Sequence, residues 1–238
     1  MCGIVSYIGK SDPVPILLKG LKRLEYRGYD SSGIAMLDED NLNYIKKRGK
    51  VSELQSHVNL SSIKGHCGIA HTRWATHGIP NDINAHPHLD QTGKIALVHN
   101  GIIENYESIK QTLIGRGVSF TSDTDTEVLV QLISELYYNN DEKISFESAV
   151  KAALQEVIGA YGIVVICSDE PNTMIAARMG SPLVLGVGEG EYLLASDASP
   201  IIEYTRNVIY LDDDEFVKIH NSEYEISNIA SEKVITKT

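Results

Sequence analysis

At 238 residues and 42% hydrophobic content, the chain is long enough to bury a sizeable core as one large domain or two small ones. A formal net charge of −11, with no basic run longer than Lys46-Lys47-Arg48, excludes the usual surface of a phosphate-backbone binder, so nucleic acid is not an expected partner. The cysteines Cys2, Cys67 and Cys167 are odd in number and widely spaced, which fits neither a disulfide framework nor a zinc site and points to a reducing, cytoplasmic setting. No basic-then-apolar leader and no apolar run of membrane-spanning length is present, so no membrane partner is expected.

In chain order, Gly3–Gly9 reads as a short apolar strand, and Pro13–Leu24 as a helix with Val14, Leu17, Leu18 and Leu21 at helical spacing. Gly33–Asp38, Leu42–Lys47, Gly68–Thr72 and Ile95–Asn100 read as strands divided by polar or Gly/Pro segments. Three helices are expected at Glu104–Arg116, Asp125–Tyr138 and Ser145–Val157. Strands return at Gly162–Ser168, Thr173–Arg178, Leu183–Val187, Glu191–Ala195, Val208–Leu211 and Glu215–His220. Gly186-Val187-Gly188-Glu189-Gly190 lacks the strand-to-helix setting of a dinucleotide fingerprint and reads as a hairpin turn. Strands, then helices, then strands define one α+β domain whose two sheets must pack on each other and on helices.

Four clusters carry chemistry. Cys2 follows only the initiator Met1, so trimming of Met1 would make it the N-terminal residue, a thiol nucleophile beside its own α-amine of pKa roughly 7.7–8.0. In Gly68–Gly78 an apolar strand runs into a segment holding Arg73, Thr76, His77 and the only tryptophan, Trp74. A guanidinium with hydroxyl and imidazole neighbours suits a carboxylate; a surface ion pair and local backbone satisfaction would use the same residues. His99-Asn100-Gly101 closes a strand before a helical stretch expected from Ile102, and its Asn-Gly pair fits either a tight turn or an oxyanion hole built from an amide and a glycine N–H. Thr121–Glu127 has the composition of a helix N-terminus; an aspartate there fits capping or, opposite an arginine, a clamp for a zwitterionic amino acid.

Together Cys2-Gly3-Ile4, Leu24–Gly33, His71–Gly78, His99–Asn105 and Thr124–Glu127 resemble the glutaminase domains of class II glutamine amidotransferases, and among these most closely the glucosamine-6-phosphate synthase (glutamine:fructose-6-phosphate amidotransferase) family. The resemblance covers essentially the whole chain. It implies a four-layer αββα sandwich of the N-terminal-nucleophile hydrolase type, with L-glutamine hydrolysed through a γ-glutamyl thioester. It makes Cys2 the nucleophile and Asn100 with Gly101 the oxyanion hole. It sets Arg73, Thr76 and His77 around the glutamine α-carboxylate and Gly101 and Asp125 around the α-amino group. Trp74 becomes a gating residue, with core packing as its alternative, and Arg27 and His86 fall near the site. No metal or organic cofactor is expected: His86-Pro87-His88 lacks further ligands at metal spacing. Ser6 stands where the family has glycine. The chain stops at Thr238 without a sugar-phosphate site, so the expected partner is a C-terminal isomerase domain and residues 1–238 are read as the glutaminase domain alone. The competing readings are another class II amidotransferase or a glutamine-like amide hydrolase, and a catalytically silent, glutamine-binding regulatory domain.

Overall fold

Every residue of Gly3–Ile8 (β1) is buried, because both faces of the strand are covered. Ile4 and Ile8 enter one apolar layer and Val5 and Tyr7 another, the period-two alternation of a strand between two cores. The computed structural model describes residues 2–39, 41–74, 78–139 and 143–230.

Two antiparallel sheets are formed. The first has seven strands, in the order Val208–Tyr210 (β11), Val184–Val187 (β9), Tyr192–Ala195 (β10), β1, Cys67–Arg73 (β4), Ser31–Asp38 (β2) and Asn41–Arg48 (β3). The second has six, in the order Glu223–Asn228 (β13), Glu215–His220 (β12), Thr173–Met179 (β8), Gly159–Cys167 (β7), Ile95–Ile103 (β6) and His88–Leu89 (β5). The sheets meet through a layer that includes Ile4, Ile69, Val98, Val164, Val217 and Ile219. On the outside of the first sheet lie helices Pro13–Leu24 (α1) and Val51–Leu60 (α2), which bury Leu17, Leu21, Leu24 and Leu54 completely. On the outside of the second, Asp125–Tyr138 (α4) and Phe146–Glu156 (α5) cover Ile95, Leu97, Ile163 and Val165, and Tyr106–Gly115 (α3) packs on α4 through Leu113 and Val128. Each buried leucine or isoleucine contributes about 1.5–3 kcal/mol of apolar transfer, which sums to the force that joins the layers. The result is the αββα sandwich expected from the sequence.

Beyond the short strand His88–Leu89, which the sequence reading did not include, three local outcomes differ from that reading. Val51–Leu60 is a helix whose core stripe Val51, Leu54, Val58 has correct spacing but no side-chain N-cap to announce it. Glu223–Asn228 adds an edge strand joined to β12 by a two-residue turn in which Asn221 and Ser222 have φ of 47° and 67°, the double positive φ of a type I′ hairpin. The third concerns Asn100-Gly101, which forms no turn. The strand runs on to Ile103, pairing Asn100 with Gly162 and Gly101 with Tyr161, and α3 starts only at Tyr106. The glycine-rich 186–190 stretch is a hairpin, with Gly188 N–H donating to Glu191 O at 2.9 Å. Ser6 is fully buried and exchanges hydrogen bonds with the backbone of Leu194, so the serine is absorbed by the sheet.

Candidate active site

The register Gly3↔Thr72 sets Cys2 opposite the end of β4, where the chain leaves the sheet at Arg73 and Trp74. Close approach demands Gly3: a Cβ there would lie 2.7 Å from Thr72 Oγ1 and 2.9 Å from Leu24. The Trp74 N–H donates to Cys2 Sγ at 3.2 Å, and Sγ lies 3.5 Å from the Trp74 carbonyl, within donating distance. Burial pushes the thiol pKa above its ordinary value; the Trp74 N–H acts in the opposite direction and is the smaller effect. The thiol therefore keeps its proton at neutral pH until a base removes it.

The facing wall comes from the second sheet. Asn100 is buried, with Nδ2 3.4 Å from the Cys2 carbonyl oxygen and Oδ1 2.9 Å from His71 Nε2. Gly101 has φ of 134°, and a Cβ on it would lie 2.0 Å from Ala160 O, so only glycine lets β6 pass β7 here and keep Asn100 in place. The residue pair that sequence composition assigns equally well to a turn is thus a mid-strand constriction at the site.

Charges of both signs border the same space. Arg73 is 3% exposed at the end of β4; its Nη1 lies 3.9 Å from Asp30 Oδ1 and its Nη2 donates to Gly78 O at 3.3 Å. This is a buried guanidinium and not the surface ion pair that was the alternative. Arg27 closes the 3-10 turn Glu25–Arg27 and donates through Nη1 to Ser196 O at 3.2 Å, while Ser196 exchanges hydrogen bonds with the Ile4 backbone. Across from them Asp125 opens α4, and its Oδ2 accepts the Ile103 N–H at 2.9 Å. A carboxylate at a helix N-terminus sits in the favourable end of the helix dipole. The cap itself is Thr124, whose hydroxyl accepts Glu127 N–H, so Asp125 is not consumed by capping. Asp123 is tied instead to Asn84, whose amide reaches it at 3.1 Å.

Cys2, Arg27, Arg73, Trp74, His86, Asn100, Gly101 and Asp125 all line one cleft of about 360 Å³. Thr76 and His77, which the sequence resemblance adds to the carboxylate pocket, lie outside the described residues, as does Met1. Trp74 is 54% exposed, so core packing does not account for it; its ring rests against Gly28, where a Cβ would meet it at 2.6 Å. Sequence reasoning missed a buried network behind the cleft. His86 Nε2 and His99 Nδ1 both meet Thr126 Oγ1, at 2.9 and 3.0 Å, and the His71 ring lies against His86, tilted by 38° with centroids 4.1 Å apart. The available signal was a histidine near the end of each of two otherwise apolar strands, His71 in β4 and His99 in β6. Burial, followed by repulsion from the neighbouring histidines and Arg73, lowers the pKa of His86 well below the ordinary value. Among the described residues no group of three or more His, Cys, Asp or Glu side chains is arranged to hold a metal ion.

The fold that carries this cleft is shared with solved glutamine amidotransferases. The glutamine phosphoribosylpyrophosphate amidotransferase of B. subtilis superposes with a TM-score of 0.82 over 98% of this chain and 50% of its own, at 26% identity, and shares the N-terminal-nucleophile hydrolase architecture. A second solved structure, described as the allosteric regulatory enzyme of purine biosynthesis, matches with the same TM-score at 27% identity over 96% of this chain and 49% of its own. The sequence pattern of the glutamine amidotransferase domain matches residues 41–236, and the chain belongs to that family. Its curated relatives include the isomerizing glutamine–fructose-6-phosphate aminotransferases of Chlorobaculum tepidum, 51% identical over all of this chain and 39% of the relative, and Bacteroides thetaiotaomicron, 56% identical over 92% of this chain and 36% of the relative. The chain thus spans about two fifths of the length of these relatives and matches their N-terminal part.

Proposed function

We propose that this chain hydrolyses L-glutamine to glutamate and ammonia at Cys2, and that in a full-length protein the ammonia passes to a C-terminal isomerase domain that converts fructose 6-phosphate to glucosamine 6-phosphate. The observation that carries the first part is the convergence on one cleft of a thiol, an amide-and-glycine pair, a buried guanidinium and a helix-terminal carboxylate. A thiol, a guanidinium and a carboxylate lining one cleft match an amino acid held by both its α-groups, with its side-chain amide at the sulfur. The relatives' names support the second part.

In this reading Met1 is removed and the Cys2 α-amine takes the thiol proton, which the buried sulfur does not release by itself. The thiolate adds to the glutamine side-chain carbonyl; the oxyanion is held by Asn100 Nδ2 and the Gly101 N–H. Proton return to the leaving nitrogen expels ammonia and leaves a γ-glutamyl thioester. Water then adds to the thioester, the sulfur leaves and recovers its proton, and glutamate departs. Arg73 binds the α-carboxylate by a two-pronged contact, with Thr76 and His77 assigned beside it, and Asp125 with Gly101 receives the α-ammonium. Arg27 and His86 frame the pocket, and Trp74 gates its mouth. No step calls on a metal or organic cofactor. Among the described residues no helix is long and apolar enough to cross a membrane; three free cysteines fit a cytoplasmic setting.

The deciding experiment is labelling with a glutamine-like diazoketone or epoxide, read by peptide mass spectrometry. Label should fall on Cys2, with Met1 absent from the intact mass, and Cys2→Ala should abolish ammonia release while Cys67→Ala and Cys167→Ala preserve it. Label on Cys67 or Cys167, both buried, would overturn the assignment.

A further inference from the structure

His71 lies on β4 of the first sheet, between Ile4 of β1 and Gly33 of β2, and its ring crosses to the second sheet. Its Nε2 meets two acceptors there, the His99 carbonyl oxygen at 3.1 Å and Asn100 Oδ1 at 2.9 Å. A carbonyl oxygen only accepts, so Nε2 must carry the proton. The ring is fully buried, and Nδ1 has no hydrogen-bond partner among the described residues. A proton on Nδ1 would leave a buried donor unmet and two acceptors facing a bare nitrogen, so the Nε2–H tautomer is selected by its surroundings. Burial, opposed more weakly by the Asn100 bond, drives the His71 pKa down to about 3, and the ring stays neutral.

This bond decides which way the Asn100 amide faces. Turned by 180°, Asn100 would set its NH₂ against the Nε2–H of the fully buried His71 ring, two donors in contact. With Oδ1 on His71, the NH₂ is directed at Cys2, where its distance to the carbonyl oxygen is 3.4 Å. We propose that His71 is the positioning residue for Asn100: a neutral, Nε2-protonated imidazole that bridges the two sheets and presents the amide NH₂ to the oxyanion. This rests on the proposed role of Asn100 at Cys2.

The test separates positioning from general damage. His71→Phe keeps the ring and removes the donor. It should lower kcat for glutamine hydrolysis by about 10²-fold, the scale of a lost oxyanion donor, with KM within about threefold. Alkylation of Cys2 by iodoacetamide, a displacement at saturated carbon that builds no oxyanion, should proceed within about twofold of the unsubstituted rate. In an Asn100→Ala background, His71→Phe should cost nothing further in kcat. Equal slowing of alkylation and hydrolysis, or a full additional loss in the Asn100→Ala background, would refute the proposal. Nitrogen-15 NMR of the unsubstituted protein at pH 7 reads the tautomer without reference to activity or to the folding of a variant: Nε2 protonated and Nδ1 bare is expected, and a protonated Nδ1 overturns the contact. Failure of the unsubstituted chain to release ammonia from glutamine would sink the glutaminase reading, while the nitrogen spectrum would still decide the His71–Asn100 geometry.

Discussion

Arg73→Lys keeps the charge beside Asp30 and loses the planar fork, so the two-pronged carboxylate contact proposed for Arg73 would become a single point contact. KM for glutamine should rise about tenfold or more with a smaller change in kcat, because the contact is made equally in ground and transition states. Steady-state kinetics checks it; an unchanged KM would remove Arg73 from the pocket. The pair Asp125 and Asp123 gives a sharper contrast. Asp125→Asn should raise KM, since Asp125 lines the cleft, whereas Asp123→Asn should leave it near its original value, since Asp123 faces Asn84. Equal effects would mean that the ammonium contact lies elsewhere.

At the scale of elements, α4 delivers Asp125 to the cleft, and Thr124 is the residue that holds its first turn. The Thr124 hydroxyl accepts Glu127 N–H at 3.2 Å and lies 3.0 Å from His88 Nε2, so its loss exposes a buried donor and a ring together. Thr124→Ala should destabilise the fold by about 1–2 kcal/mol, measured as a shift in the denaturant midpoint, and should raise KM through Asp125. Much of this element was legible in the chain. The Thr121–Glu127 composition marked a helix start without singling out Thr124 as the cap, and the Glu127 carboxylate does not close a simple capping box; it accepts the N–H groups of Thr121 at 2.8 Å and Ser122 at 2.6 Å. The apolar periods of β1, α1 and α5 likewise showed in the sequence, because each element is covered by one or two continuous cores. What stayed hidden depended on tertiary neighbours. Asn-Gly means a turn by local preference, and only the proximity of Ala160 O explains a glycine at φ 134° within a strand. The histidines of β4 and β6 fall adjacent only after two sheets have packed.

Over the whole molecule, four histidines are buried at or near the cleft, His71, His86, His88 and His99, and burial favours the neutral ring in each. Burial is the first cause of depression in each, and their mutual repulsion adds to it for most. The unfolded chain protonates them near the ordinary value of about 6.5, while the folded chain resists, so below that value the unfolded state binds more protons. Stability is therefore fully present above pH about 6.5 and declines as pH falls below it, by up to about 1.4 kcal/mol per pH unit for each histidine until its depressed folded value is reached. Denaturation curves at pH 7.5, 6.0 and 5.0 should show a steep loss, and a flat profile would mean that these rings are already charged in the fold. Assayed by itself, this stretch of chain should release ammonia from glutamine and form no glucosamine 6-phosphate from added fructose 6-phosphate; any stoichiometric amino sugar would show that the sugar chemistry resides here as well.

Cys2 and Arg73 ride on the seven-stranded sheet and Asn100 and Gly101 on the six-stranded one, with the Ile4–Val98–Val164 layer between. The distance between sulfur and amide is consequently set by how far one sheet can slide on the other, and a close-packed layer that resists compression also resists such shear. Ile219 belongs to that layer and is not among the residues lining the cleft, yet a cavity opened there by Ile219→Ala would soften the sandwich and let the two halves of the site drift in register. Turnover would then respond to hydrostatic pressure and to distant core substitutions more steeply than stability alone accounts for, making the reaction rate a gauge of the mechanical stiffness of the fold.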